Sequence, residues 1–321
     1  MAPLSPRISP ASLTRPFTLL LHLLPLLFLQ CLNLPQVHGR CDRIAVRRSF
    51  VHMSEADRAI FLTAHARLND PRSSRPNRFD YIVNKHAHHH ESIHEGAIIF
   101  PWHRPFLAEY QYALHRIDPR ADLPYWNWAE HGLYPETSPV FQGGPTWLGG
   151  DGVGPHRCVP DGALAPLPVF YTSYQFPTTD DTTTTTTPCL RRRFDKGPNR
   201  MSTWFEQTTI ELWLTSSRTY AEFRALFEPP HWLVHTSIDG DMSSPYAPND
   251  LLFFLHHAYM DKLWNDWMER DPSGARFAEY NGALKNGTPV SPDDFIDGFG
   301  DLRVRDVLNT TAHDTLCYTY D

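Results

Sequence analysis

Two groups of three histidines, one in each half of the chain, constrain this sequence more than any other feature. The stretch from His94 to Phe106 reads HEGAIIFPWHRPF and places His94 and His103 on either side of an aromatic, proline-containing turn, with His86 upstream. In the second half His231 and His235 stand four residues apart, the spacing that puts two side chains on one helix face. His256 and His257 follow, and neighbours on a helix diverge by about 100°, so only one of the two can face that pair. Neutral imidazoles suit copper, zinc, iron and nickel. Zinc normally adds carboxylate or cysteine ligands, and no such set accompanies these histidines, so a zinc-dependent hydrolase fits poorly. Two sets of three carried by helices are what a paired copper centre needs.

The apolar periodicity supplies the helices. Ser54 to Leu68 has Ser54 as N-cap and apolar residues at Ile60, Phe61, Ala64 and Leu68. Phe79 to His89 continues through Ile82, Val83 and His86 on one face, which turns His86 to the core. A third helix is predicted from Arg104 to Ile117, entered through Pro105 in its first turn. Met201 to Leu214 and Thr219 to Phe227 read as helices, and PPHWLVHTSIDG starts another at its two prolines. The last helix runs from Asn249 to Arg270, capped by Asn249 or Asp250. Gly132 to Arg200, with its Thr178 to Thr187 run, reads as loop. The expected fold is mainly α, a four-helix bundle holding a dicopper centre, with long irregular loops.

Composition sets the compartment and excludes some partners. The net charge is −7, with 29 Lys and Arg against 36 Asp and Glu and no basic stripe, which argues against nucleic acid. Arg7 and Arg15 precede the broken apolar stretch Pro16 to Leu32, which reads as a signal peptide ending near Gly39. The expected division is a leader over 1–39 and a secreted catalytic domain over 40–321, with no membrane attachment after cleavage and no obligate protein partner. Cys31 falls in the leader. Cys41, Cys158, Cys189 and Cys317 then allow three pairings of two disulfides. We expect Cys158 with Cys189, closing the long loop, and Cys41 with Cys317, joining the chain ends. The triplets at Asn286 and Asn309 are glycosylation acceptors in such a compartment.

The segments FDYIVNKH, IHEGAIIFPWHRPF, PHWLVH, DGDM and PNDLLFFLHHAYMDKLW resemble the copper signatures of the tyrosinase and catechol oxidase family of type 3 copper proteins. The opening CDRIAVRRSFVHMSEADR and the closing YTY, Tyr318 to Tyr320, are similar to the borders of that family's catalytic core. The resemblance implies two copper ions with O2 as co-substrate. It places His86, His94 and His103 on one copper and His231, His235 and His257 on the other, leaving His256 as a neighbour. The implied substrate is a small phenol, oxidised to a quinone.

Several departures from the family pattern bear on activity. Relatives hold a basic water with a Glu before the first histidine of the second set and an Asn after it. Here Glu228 is offset by one residue and Trp232 replaces the Asn. An indole donates a hydrogen bond but cannot accept one. The expectation is oxidation of o-diphenols or o-aminophenols, with weak or absent monophenol hydroxylation. Thr236 after His235 is uncharged, and Ser244 stands where several relatives carry a bulky gate. The segment between His86 and His94 has no cysteine, so no Cys-His thioether can form there, and no C-terminal shielding domain is expected after the YTY motif. Asp261, four residues after His257, is expected either to orient an imidazole or to form a surface ion pair. His88, His89 and His90 read as a solvated cluster, and Trp102, Phe253, Phe254, Trp264 and Trp267 as core. The alternative is a haemocyanin-like O2 carrier without turnover.

Overall fold

Four helices carry the interior of the protein: α2 (Arg78–His89), α3 (Ile99–His115), α5 (Tyr220–Ile238) and α6 (Leu251–Glu269). The computed structural model describes residues 41–173, 188–197, 205–312 and 314–321. The leader expected over 1–39, the threonine run and the expected helix start at Met201 lie outside these residues. Helix α1 (Glu55–Leu68) packs on α3, and α4 (Gln207–Ser216) lies against α5 and α6. Ser54 caps α1 by accepting from the Asp57 N–H, and Asn77 and Thr219 close capping boxes with Asp80 and Glu222 at the starts of α2 and α5. Among the described residues between α3 and α4 the chain is irregular, apart from short turns of 3-10 helix and isolated β-bridges.

Prolines account for the two places where the helices differ from expectation. Helix α3 begins at Ile99, so Pro105 lies inside it and not near its start. The two helices expected around Pro229 and Pro230 are one continuous helix, α5. An interior proline forfeits a backbone hydrogen bond, at a cost of about 3 kcal/mol. Here packing on both sides outweighs that loss. Every residue of α3 from Ile99 to Ala108 is buried, and α5 buries Phe223 and Phe227 before its prolines and Val234 and Ile238 after them.

Aromatic side chains bind the four helices to each other. Phe79 of α2 meets Tyr110 of α3, and Tyr110 stacks on Phe254 of α6 with ring centroids 3.8 Å apart. Phe100 of α3 meets Phe223 of α5, which in turn meets Trp267 of α6. Trp102, Phe253, Phe254, Trp264 and Trp267 are all fully buried, as expected of core residues.

Helix α6 is fastened at its start and at its middle by buried charge. At its start, Asp250 caps the Leu252 N–H and takes two bonds, 2.6 and 2.8 Å, from the fully buried guanidinium of Arg192. At its middle, Asp261 accepts from Arg104 Nε at 2.6 Å, from Arg47 Nη1 at 3.4 Å, and from the hydroxyls of Tyr318 and Tyr320. Arg47 and the two tyrosines belong to a parallel strand pair, β1 (Ala45–Arg47) and β2 (Tyr318–Tyr320). Both expected disulfides are present: Cys158 with Cys189, and Cys41 with Cys317. The second spans 276 residues and joins the chain just outside β1 and β2.

Candidate metal centre

The bundle brings both histidine groups into its interior and faces them toward each other. His86 comes from α2, His94 from the turn after it and His103 from α3, and in each group one ring nitrogen per residue lies within 4.8 Å of the others. His231 and His235 come from α5, and His256 and His257 from α6. The groups meet where His103 stacks on His257, with centroids 4.2 Å apart and planes 8° apart, and where His94 stacks on His231 at 5.8 Å. Phe253 packs against His86 and His257.

Backbone carbonyls fix the protonation of four of these rings. The Nδ1–H of His86 donates to Pro245 O at 2.7 Å, that of His94 to His90 O at 2.8 Å, that of His103 to Ile99 O at 2.7 Å and that of His235 to Met242 O at 2.7 Å. A carbonyl only accepts, so each Nδ1 must carry the proton and each Nε2 must present a lone pair. Nε2 of His86 and of His103 is buried without any hydrogen-bond partner, as are both ring nitrogens of His231. Such orphans are costly unless something accepts the lone pairs. Burial keeps the rings neutral: His94 is lowered to about 2, His103 to about 3 and His235 to about 4, while His86, His231 and His257 fall well below the ordinary value. Neighbouring imidazoles push His94, His86, His231 and His257 further down. By contrast the buried His65, also lowered to about 4 by burial, is satisfied by the Tyr110 hydroxyl at 3.0 Å. An uncharged all-nitrogen donor set of this kind fits two copper ions. His256 shares the second group by distance, with its ring stacked on His231.

An opening of about 110 Å³ leads from the surface to His86, His94 and His235, and its wall includes His90, Trp232, Thr236 and Ser244. The Trp232 ring lies 5.2 Å from His94 and 5.2 Å from His231, so it roofs both groups. Thr236 spends its hydroxyl on the carbonyls of Trp232 and Leu233. Ser244 donates to Asp241 O and accepts from the Tyr246 N–H. Glu228 is buried and paired with Arg224. Burial raises its carboxyl above the usual range, against the pull of that guanidinium.

Two expectations need correction. The hydrogen-bond partners of Asp261 are arginines and tyrosines and include no imidazole, and it is buried, so it neither orients a histidine nor makes a surface pair. His90 is not part of a solvated cluster. It closes α2, and its ring turns inward to 4.7 Å from His94, while His88 stays exposed. Arg192 was invisible in the sequence, because its partner Asp250 lies 58 residues away.

Asp241 offers a test of the turn that supports His235. Gly240 has φ +67°, and a Cβ there would lie 2.2 Å from Arg191 O, so the turn docks on the backbone at Arg191. Next to it the Asp241 carboxylate accepts the Arg191 N–H at 2.7 Å, and burial, with Asp250 nearby, raises its pKa from 3.8 to about 7. A raised carboxyl pKa gives stability that is complete below 3.8 and is lost as pH rises through about 7. Asp241→Asn keeps an acceptor for the Arg191 N–H without the charge. Thermal melts should show the variant a few °C above wild type at pH 8, with the gap closing near pH 4. A constant gap would assign the effect to packing.

Residues 76–270 match the common central domain of tyrosinase. Tyrosinase-like protein phomQ1 of Diaporthe leptostromiformis is 29% identical, over 90% of this chain and 80% of that protein. The tyrosinase of Streptomyces galbus is 31% identical over 69% of this chain and 77% of its own length. Among solved structures, a polyphenol oxidase of Thermothelomyces thermophila superposes with a TM-score of 0.69 at 25% identity, covering 88% of this chain and 90% of that one. A functional unit of octopus haemocyanin shares the fold, with a TM-score of 0.54 at 17% identity, over 86% of this chain and 68% of its own. Since the matched stretch carries every histidine of the two facing groups and runs over more than half of the sequence, the chain belongs to the tyrosinase family.

Proposed function

We propose that this chain, a copper oxidoreductase by family, uses O2 to oxidise o-diphenols or o-aminophenols to quinone-type products and hydroxylates monophenols weakly or not at all. The observation that carries this reading is the pair of facing histidine groups, buried and neutral, with four rings oriented by backbone carbonyls and His86, His94 and His235 lining one opening. His86, His94 and His103 would hold one copper, and His231, His235 and His257 the other. When bound there, the metal pair would supply O2 activation and redox chemistry. The protein keeps four Nε2 lone pairs in place by holding the proton on Nδ1, and burial keeps the other rings uncharged. Trp232 in the wall of the opening gives a flat phenol ring a surface to lie on, while the buried Phe253 packs behind His86 and His257 and keeps water from them.

The substrate preference rests on what the opening lacks. A monophenol must lose a proton before it can be hydroxylated. Glu228 commits its charge to Arg224, and Trp232 can donate to a water but not draw a proton from it. A catechol already offers two oxygens and depends less on a base. Initial rates on 4-methylphenol and 4-methylcatechol should show a ratio well below one in wild type, and Trp232→Asn should raise it severalfold. A wild type that handles both substrates alike, or a variant with an unchanged ratio, would remove this role from Trp232. Ser244, with its small side chain, leaves the mouth open.

The two disulfides support a secreted protein, with 1–39 as leader and 40–321 as the catalytic domain, and exposed Asn286 suits a glycan. No helix among the described residues is long and apolar enough to cross a membrane. The second reading, O2 carriage without turnover, has the shared haemocyanin fold in its favour. Adding catechol to the copper-loaded protein and following quinone absorbance separates the two.

A further inference from the structure

We infer that His90 is a transit ligand through which copper reaches the buried histidines, an inference that rests on the copper reading above. Two described cavities touch the histidine groups. The one beside His103, His231 and His257 is about 10 Å³, while the one lined by His86, His90, His94 and His235 is about 110 Å³, so an ion enters past His90. His90 Nδ1 is buried and has no hydrogen-bond partner, with the exposed Glu91 carboxylate at 3.5 Å. Its ring lies 4.7 Å from His94 and 5.7 Å from His86, near both, yet it falls outside the group whose nitrogens converge. An imidazole without a hydrogen bond on the path, next to a carboxylate open to solvent and just short of a closed three-nitrogen site, is placed to take an ion from water and pass it inward. In that exchange one copper–nitrogen bond to His90 breaks as one to His94 or His86 forms. No electron moves, and no proton need move either, because the receiving rings already present neutral Nε2 atoms.

The test follows copper uptake and does not depend on turnover. Metal-free full-length protein is mixed with Cu(II) sulfate, and samples are stopped with chelator at intervals, desalted and analysed for bound metal. Wild type should reach two ions per chain. His90→Ala should reach the same final content roughly tenfold more slowly, although it widens the mouth, and His90→Met, which restores a copper donor, should recover part of the rate. Uptake by His90→Ala as fast as or faster than wild type would show that His90 merely obstructs the opening. A final content below two in that variant would make it a permanent ligand instead. Either result overturns the inference while leaving the copper reading intact, whereas a wild type that binds no copper overturns both.

Discussion

His235→Ala should lower the copper content of the loaded protein from two ions per chain to one and cut catechol oxidation by more than about a hundredfold. The side chain is buried, its Nε2 lies 3.2 Å from that of His257, and its ring is held by the Met242 carbonyl. With it gone, the second group keeps only His231 and the α6 histidines and loses the one ring in it that a backbone carbonyl orients. His88→Ala is the matched control, because that histidine is exposed one turn from the site. Metal analysis and initial rates on both variants decide the matter. Equal behaviour would mean that the ligands have been misassigned, and retention of two ions by His235→Ala would point to His256 as an acting ligand.

Asp261→Asn should cost about 3–5 kcal/mol of stability, lowering the melting temperature by roughly 10 °C. The substitution keeps the shape but removes the negative charge that two fully buried guanidinium groups, Arg47 and Arg104, both face. The carboxyl is held below its usual range by those arginines in spite of its burial. Arg104 would keep bonds to the Val307 and Leu308 carbonyls and its place over the Trp264 ring, but not a counter-ion. Asp266→Asn breaks the more exposed Lys262 pair on the same helix and should cost less than about 1 kcal/mol. Calorimetric melts of the two variants side by side would expose any general effect of altering α6. Similar losses in both would mean that the buried cluster has no special weight.

How far the sequence could be read depended on how local each cause is. Ser54 as a cap, His86 on the inner face of its helix and His231 with His235 on another are set within a turn or two of chain, and all three were legible. The prolines misled because helix propensity is a local quantity, whereas α3 and α5 persist through packing against distant residues. His94 lies in a turn, where no periodicity marks it; its place beside His103 and the aromatic turn drew attention to it, and the resemblance gave it a role. The Arg192 to Asp250 pair and the cluster at Asp261 join residues far apart in sequence, so charge alone gave no sign of them. The disulfides were legible because four cysteines leave few pairings and one pair flanks a long loop.

The covalent joint between Cys41 and Cys317 has a mechanical meaning. Force applied through chain outside these two residues passes through a single sulfur–sulfur bond and β2, and it reaches the helices that position the histidines only through the hydrogen bonds of Tyr318 and Tyr320 to Asp261. A tethered oxidised molecule pulled in this way should lengthen only by its outer segments, while the reduced one should release the contour of the 276-residue span in between. The histidine groups thus lie off the covalent line along which tension outside Cys41 and Cys317 would run.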